Sequence, residues 1–583
     1  MDSPSTGELR QEAEIDAAIK AYEEEWERSK RFVLGLRKQR NALQPACRLP
    51  NELLGEIFRH AVQTSTGFSL TSLKCKWPRP WLTVTHVCEL WRRVAIDHHA
   101  LWTTIQFVKS PQLVKMFAER AGNCALRILG DNHRGAWAQF IPPFIASHAS
   151  HIASLDGLWL TYHRCTAISD LLAPEPCFEA LERLHFSVSD SPDQVSLVFP
   201  PEALPRLRYL WCSGVTQSFI EALPALKLTT LHITRPTRKL KAGTWIGVLQ
   251  GLGALESLGL HGTFEAVIAR ANLPPIDNSA LAHLPHLKTL SLEEPDAGYT
   301  LSQVLEHLVF PATTKVVIDV DDFLEPESFA LLMLSLAAVA SGKAPSKITM
   351  SAFVSCIIES DGVRLWTHEM PVAERSSQTV YRVARRKSAP DWTVNTSGVT
   401  QDFLPSIFNA LSFLPLRSLA IDVFLYSPFG LFSELASFPT IRELFVNCRA
   451  AVEALVNVHE AMWASPESST LLPNLELLAL GNVSWMKHSK PSLQSLEAPN
   501  RLALRLETML QTRNTFVDPI KRLKILGSKA LAGWDPMSLA EKNVAGKVEV
   551  DEKGWGVDYI CGCHECQAYT AANNMEDEDE ETE

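Results

Sequence analysis

The chain has 583 residues, of which 46% are apolar and 21% charged, and its formal net charge is −11. Such a composition belongs to folded soluble proteins and allows a large core. It excludes a disulfide scaffold, because 12 cysteines are spread thinly, and it argues against nucleic acid as a partner, because no aromatic-studded basic stripe offsets the acid.

Met1 to Glu14 is polar and acidic and contains no apolar signal region. The longest apolar run, Phe329 to Ala340, is broken by Ser335. It is too short to span a bilayer and reads as a buried helix, so no membrane partner is expected. The expected location is cytoplasmic or nuclear, with reduced thiols and an unused sequon at Asn395-Thr396-Ser397.

In chain order, residues 1–44 come first, with one long helix over Glu8 to Leu43. Ile19, Tyr22, Trp26, Ser29, Val33 and Leu36 alternate steps of four and three, a heptad-like seam. Glu23, Glu24 and Glu25 precede a basic half with Lys30, Arg31, Arg37, Lys38 and Arg40, which suits the helix dipole. The seam predicts either a short coiled coil pairing two copies, and so a homodimer, or a helix folded back or left exposed. Ser29 and Arg40 within it favour the second outcome.

Residues 45–104 carry short helices with large apolar residues. Pro50 suits a first helical turn, and Glu52 suits the positive helix end. Leu53, Leu54, Ile57 and Phe58 form an apolar stripe; Val84, Val87, Cys88 and Trp91 form another. Leu101-Trp102 closes the segment. Helices this short need a partner surface to complete a core.

The strings Leu49-Pro50-Asn51-Glu52-Leu53-Leu54-Gly55-Glu56-Ile57-Phe58, Val87-Cys88-Glu89-Leu90-Trp91-Arg92 and Leu101-Trp102 resemble the F-box. With the Asn41-Ala42-Leu43-Gln44-Pro45 lead-in, the segment is similar to fungal, mushroom-type members. It departs from many F-boxes in the insertion Thr64 to Pro80. The resemblance implies a three-helix module that docks on a Skp-type adaptor and, through it, on a cullin. It implies adaptor contacts at Leu49, Pro50, Leu53, Leu54, Ile57 and Phe58, then at Val84, Val87, Cys88, Trp91 and Leu101.

Residues 105–535 repeat loosely. Leu155-x-x-Leu158-x-Leu160 recurs at Leu181, Leu207, Leu228, Leu255 and Leu287, with steps of 26, 26, 21, 27 and 32 residues, and again at Leu416, Ile441 and Leu475. These steps match or slightly exceed leucine-rich-repeat periods. Each unit opens on a turn-and-apolar lead with proline, such as Leu223-Pro224, Leu284-Pro285 or Leu472-Pro473. Proline cannot donate a ladder bond and marks the strand entry. Repeats are hard to see from Pro311 to Ser406, where Val316 to Val320 is a strand candidate and Val363 to Arg386 a hairpin candidate. The expected fold class is therefore α/β: an N-terminal helix, a three-helix F-box, then an irregular leucine-rich-repeat solenoid of short parallel strands with helices.

Residues 536–583 read as a cysteine-containing segment and an acidic, solvating tail from Glu576 to Glu583. Cys561, Cys563, His564 and Cys566 hold enough soft donors for zinc, but adjacent Cys563 and His564 are awkward in one tetrahedron, so no metal site is expected. No phosphate loop, zincin helix, calcium loop or nucleophile elbow is present. No catalytic residue and no cofactor are therefore expected. The expected role is the substrate-recognition subunit of a Skp-cullin-F-box ubiquitin ligase, with a protein substrate on the repeats. The alternative is an interaction scaffold outside any ligase.

Overall fold

The computed structural model describes residues 6–65, 80–106, 111–130, 140–160, 178–188, 204–267, 270–277, 279–294, 298–311, 313–320, 326–340, 353, 355–359, 362–366, 392–396, 404–412, 414–422, 435, 438–447, 452, 455–460, 472–481, 498–526, 536–542 and 544–551. The chain divides into two units. One comprises residues 1–187 with 202–206, the other residues 188–201 with 207–583.

The first unit begins with helix α1 (Thr6–Ala42), 37 residues without an internal proline. Near its C-terminal end Lys38 pairs with Glu89. A 3-10 turn at Pro45–Arg48 leads to α2 (Asn51–Ser65), with Glu52 in the first turn. A second 3-10 turn, Pro80–His86, precedes α3 (Glu89–Asp97), and a third covers His99–Trp102. Cys88 caps α3, its sulfur accepting from the Trp91 N–H at 3.5 Å. Sulfur thus takes the place usually held by a Ser or Asp oxygen in satisfying an orphan N–H at a helix start.

Trp102 closes this helical group. It is fully buried, and its Nε1 donates to the Ala95 carbonyl at 2.7 Å. Its ring meets Phe117 of α4 (Pro111–Ala121) edge-on at 4.9 Å, and the Arg120 guanidinium lies 4.3 Å from the ring centre. A parallel ladder starts immediately afterwards: β1 (Thr104–Gln106), β2 (Leu126–Leu129), β3 (Ile152–Leu160) and β4 (Arg183–Val188). Helix α5 (Ile141–His148) precedes β3.

The second unit continues the repeat pattern with β5 (Tyr209–Ser213), β6 (Thr230–Thr234), β7 (Ser257–His261), β8 (Ala282–His283), β9 (Thr289–Glu293), β10 (Leu308–Val309) and β11 (Lys315–Val320). β5, β6, β7, β9 and β11 pair in parallel and in register, so equivalent residues stack. One row is Leu210, Leu231, Leu258, Leu290 and Val316; the next is Cys212, Ile233, Leu260, Leu292 and Ile318. Every member of both rows is buried. The alternation of the Leu-x-Leu strand sends these residues to one side and the intervening ones to the other. β8 and β10 form a separate parallel pair.

The apolar-Pro leads are, as expected, tight turns just ahead of the strands. The Leu226 N–H bonds the Leu223 carbonyl at 2.9 Å, Leu287 bonds Leu284 at 3.2 Å, Ile441 bonds Phe438 at 3.4 Å and Leu475 bonds Leu472 at 3.1 Å. Proline occupies the second turn position, which its fixed φ favours. The residue after each first leucine then serves the next unit. The Arg208 carbonyl accepts from Thr229 and Thr230, Thr229 from Glu256 and Ser257, and Glu256 from Lys288 and Thr289. These bonds tie each unit to the next, while the shared leucine rows supply the core that a single unit cannot bury alone.

Between Pro311 and Ser406 the ladder changes direction. β12 (Ser355–Glu359) and β13 (Gly362–Trp366) are an antiparallel hairpin, and β14 (Trp392–Thr396) is antiparallel to β13 but parallel to β11. Of the hairpin candidate Val363 to Arg386, only Val363 to Trp366 is described, as part of β13, and the rest lies outside the described residues. β12 then pairs in parallel with β15 (Ser418–Asp422). The apolar run is a helix, Pro326–Ala340, with Leu332, Met333 and Leu336 buried.

β16 (Glu443–Asn447), β17 (Leu477–Gly481), β18 (Ile520–Leu526) and β19 (Ala545–Asp551) complete the parallel ladder. β19 pairs with β18, so the ladder runs past residue 535, the expected end of the repeats. The reason is that Val548 and Val550 alternate with charged residues, a strand pattern without the leucine signature. Likewise β1 and β2 precede the first leucine repeat. Cys561, Cys563, His564, Cys566, the acidic tail and most of the Thr64 to Pro80 insertion lie outside the described residues. No described helix is long and apolar enough to cross a membrane.

Candidate protein-docking site

The apolar stripe of α2 divides into two faces. Leu54 and Phe58 are each 1% exposed, whereas Leu53 is 52% and Ile57 49% exposed. Successive helical residues are about 100° apart and i,i+4 residues share a face, so each pair is one turn of its own stripe. The inner pair builds the module: the Phe58 ring lies 5.1 Å from that of Trp91 on α3. Gly55 lets the His98 ring approach α2 closely, since a Cβ there would lie 2.6 Å from that ring and displace it.

The remaining expected contact residues divide in the same way. Val87 is 57% exposed and Pro50 is exposed. Leu49, Val84, Cys88 and Trp91 are half-buried, and Leu101 is buried. The thiols of Cys47 and Cys88 lie 3.9 Å apart. Burial, and secondarily the Cys88 neighbour, raise the Cys47 pKa, which keeps that sulfur protonated. Glu56 accepts from Arg59 at 2.8 and 2.6 Å on the outer side of α2, and that guanidinium holds the carboxyl below its usual range. The outer surface therefore offers apolar anchors beside a paired, exposed charge.

Residues 46–107 match the F-box-like family. The F-box-like domain thus covers α2, α3, the closing Leu101-Trp102 turn and β1. Such a domain serves protein interaction, and its general partner is a Skp-type adaptor. No curated protein matches the sequence. Among solved structures, the chain is similar to one titled "Crystal structure of TLR13-ssRNA13 complex", at 13% identity and a TM-score of 0.21. That match covers 79% of this chain and 56% of the other, so this chain spans little more than half its length. A score so low bears on neither fold nor function.

The second unit presents a mixed polar and apolar face on the ladder, opposite the leucine rows. Its central row is Trp211, His232, Gly259, Ser291 and Val317, and the next is Ser213, Thr234, His261, Glu293 and Asp319. A Cβ at Gly259 would meet the His232 ring, so a larger residue there requires that ring to move. His261 reaches Ser291 Oγ with Nε2 at 3.1 Å and Glu293 with Nδ1 at 3.2 Å. A Ser, a His and a Glu in contact have the residue types of a nucleophilic site, but the backbone N–H groups beside Ser291 belong to the ladder and cannot turn toward a reacting oxygen. The arrangement is a cross-strand hydrogen-bond network suited to contacting another molecule.

His232 gives this face a pH dependence. Burial, and then the nearby His261, hold its pKa below the ordinary histidine value. The folded state therefore binds fewer protons than the unfolded chain, and stability falls as pH drops below about 6.5. His185 and His459 are lowered by burial as well. Calorimetric unfolding at pH 7.5 and 5.5 is expected to show a lower midpoint at the acid end, with a smaller drop in His232→Gln. An equal drop in that variant would remove His232 from the account.

Proposed function

We propose that this chain is the substrate-recognition subunit of a Skp-cullin-F-box ubiquitin ligase. The observation that carries the reading is the pairing of an F-box-like match with exposed Leu53, Ile57 and Val87 on a module whose interior is already filled by Leu54, Phe58, Leu101 and Trp102. Anchors left open on a closed core are what a docking protein needs. Leu53, Ile57, Val87 and Pro50 meet the adaptor, and the buried members of the stripe hold those anchors in place. A cullin joins through the adaptor.

The repeat ladder takes the protein substrate on the face opposite its leucine rows. The chain itself makes no bond; it raises the local concentration of substrate near the ubiquitin carrier, which accelerates transfer without a catalytic side chain. Neither catalytic residue nor cofactor is required, and the working location is cytoplasmic or nuclear.

Affinity purification of the full chain, with proteasome and cullin activation blocked, tests this reading. Recovery of both adaptor and cullin is the expected result. Adaptor without cullin would replace the ligase by a scaffold, and recovery of neither would overturn the docking assignment.

A further inference from the structure

We propose that two copies of this chain pair through α1 as an antiparallel coiled coil. The helix leaves its whole seam open: Tyr22 is 74% and Trp26 68% exposed, and Ile15, Ile19, Val33 and Leu36 are exposed with them. Large apolar residues at alternating four- and three-residue spacing, on a face without a partner among the described residues, need a matching helix. What identifies that helix is charge. Glu8, Glu12, Glu14, Asp16, Glu23, Glu24, Glu25 and Glu27 lie in the first part of α1 and outnumber Arg10 and Lys20 there, whereas Arg28, Lys30, Arg31, Arg37, Lys38 and Arg40 follow without an acid among them. A second copy running the opposite way sets each part against its complement, and sets the two helix dipoles antiparallel.

One register satisfies the seam and the charges together. When Glu27 lies beside the partner's Arg28, Ile19 faces the partner's Leu36 and Tyr22 faces the partner's Val33. Trp26 faces the partner's Ser29, a large residue against a small one. Arg40 covers the partner's Ile15 with its aliphatic stem while its head reaches the partner's Asp16. Thus Ser29 and Arg40, which weigh against a seam read on one helix, each gain a partner. At the flanking positions Glu23 faces the partner's Lys30 and Asp16 faces the partner's Arg37, and symmetry repeats both.

Other arrangements lack this agreement. Sliding by one heptad sets Glu23 on the partner's Glu23 in one direction, or Lys30 on the partner's Lys30 in the other. A parallel pair in register stacks Trp26 on the partner's Trp26 and Arg40 on the partner's Arg40. Lys30 pairs within its own helix with the exposed Glu27 at 3.1 Å, a contact weak enough to be exchanged at little cost.

The test is sedimentation velocity on the full chain at micromolar concentration. A dimer is expected, and the same dimer in Leu53→Ala/Ile57→Ala, because the adaptor surface takes no part. Tyr22→Glu/Val33→Glu is expected to be monomeric. Asp16→Lys/Glu23→Lys should weaken the dimer about a hundredfold, since four attractive contacts become repulsive. Adding Lys30→Glu/Arg37→Glu to that variant should restore it. Oxidised Tyr22→Cys chains mixed with Val33→Cys chains should crosslink 22 to 33, identified by peptide mass. A monomeric native chain, a dimer that survives the Tyr22/Val33 change, a failed charge reversal, or a 22-to-22 crosslink would each overturn the proposal. Adaptor capture is read separately, so failure here leaves the ligase reading intact.

Discussion

Leu53→Ala/Ile57→Ala should lose adaptor capture while unfolding at the native midpoint. Each side chain is about half exposed, so little core is removed. An interface anchor of this kind carries about 2 kcal/mol, and two together amount to about a thousandfold in affinity. The neighbouring pair should behave oppositely. Leu54→Ala or Phe58→Ala opens a cavity behind α2 and should cost about 3–5 kcal/mol of folding stability. Adaptor titration calorimetry and urea unfolding on both sets separate docking from packing. Native-strength capture by the Leu53/Ile57 variant would count against the outer face as the docking surface.

Glu294→Ala should destabilise the repeat unit by about 3 kcal/mol, because it orphans buried backbone donors. After β7 the chain turns at Gly262, and the N–H groups of Thr263 and Phe264 find no ladder partner. Glu294 Oε1 accepts both, the Phe264 bond being 2.7 Å. Its Oε2 meets Lys239 at 3.2 Å, although that lysine is partly exposed and returns to water if released. Burial outweighs these partners and leaves the carboxyl pKa raised. The folded state thus holds the proton more tightly than the unfolded chain. The group's contribution is greatest at low pH and declines as pH rises through the carboxylate range. Glu294→Gln retains an oxygen acceptor and should cost only about 1 kcal/mol at neutral pH. Urea midpoints for the two variants decide the matter; equal costs would mean that the acceptor is not the tie.

The stacking rows were legible from the leucine spacing alone. Leu231, Leu258 and Leu290 stand at equivalent positions of their repeats, and the structure puts them in one buried row. The periodicity works because a short strand has only two faces. It failed where that signature is absent. Between Pro311 and Ser406, β13 runs against the ladder between β12 and β14, and nothing in a single strand records which neighbour it joins. β19 carries its strand pattern in valines alternating with charges, which a search for leucines passes over.

The F-box-like segment shows the same limit at finer scale. Sequence located the stripe but could not divide it, since Leu53, Leu54, Ile57 and Phe58 are equally apolar. Only the placement of Trp91 and His98 against α2 decides that Leu54 and Phe58 face inward.

By itself the sequence determined what depends on neighbours along the chain: the heptad spacing of α1, the F-box strings and the leucine periods. Helix and strand faces repeat every few residues, so local order is written locally. The tertiary structure decided everything that depends on residues far apart: which half of the α2 stripe stays open, how β11 meets β14, and why Glu294 is buried beside Thr263 and Phe264. Those outcomes turn on unsatisfied backbone donors and filled volume, quantities that exist only once distant segments have met.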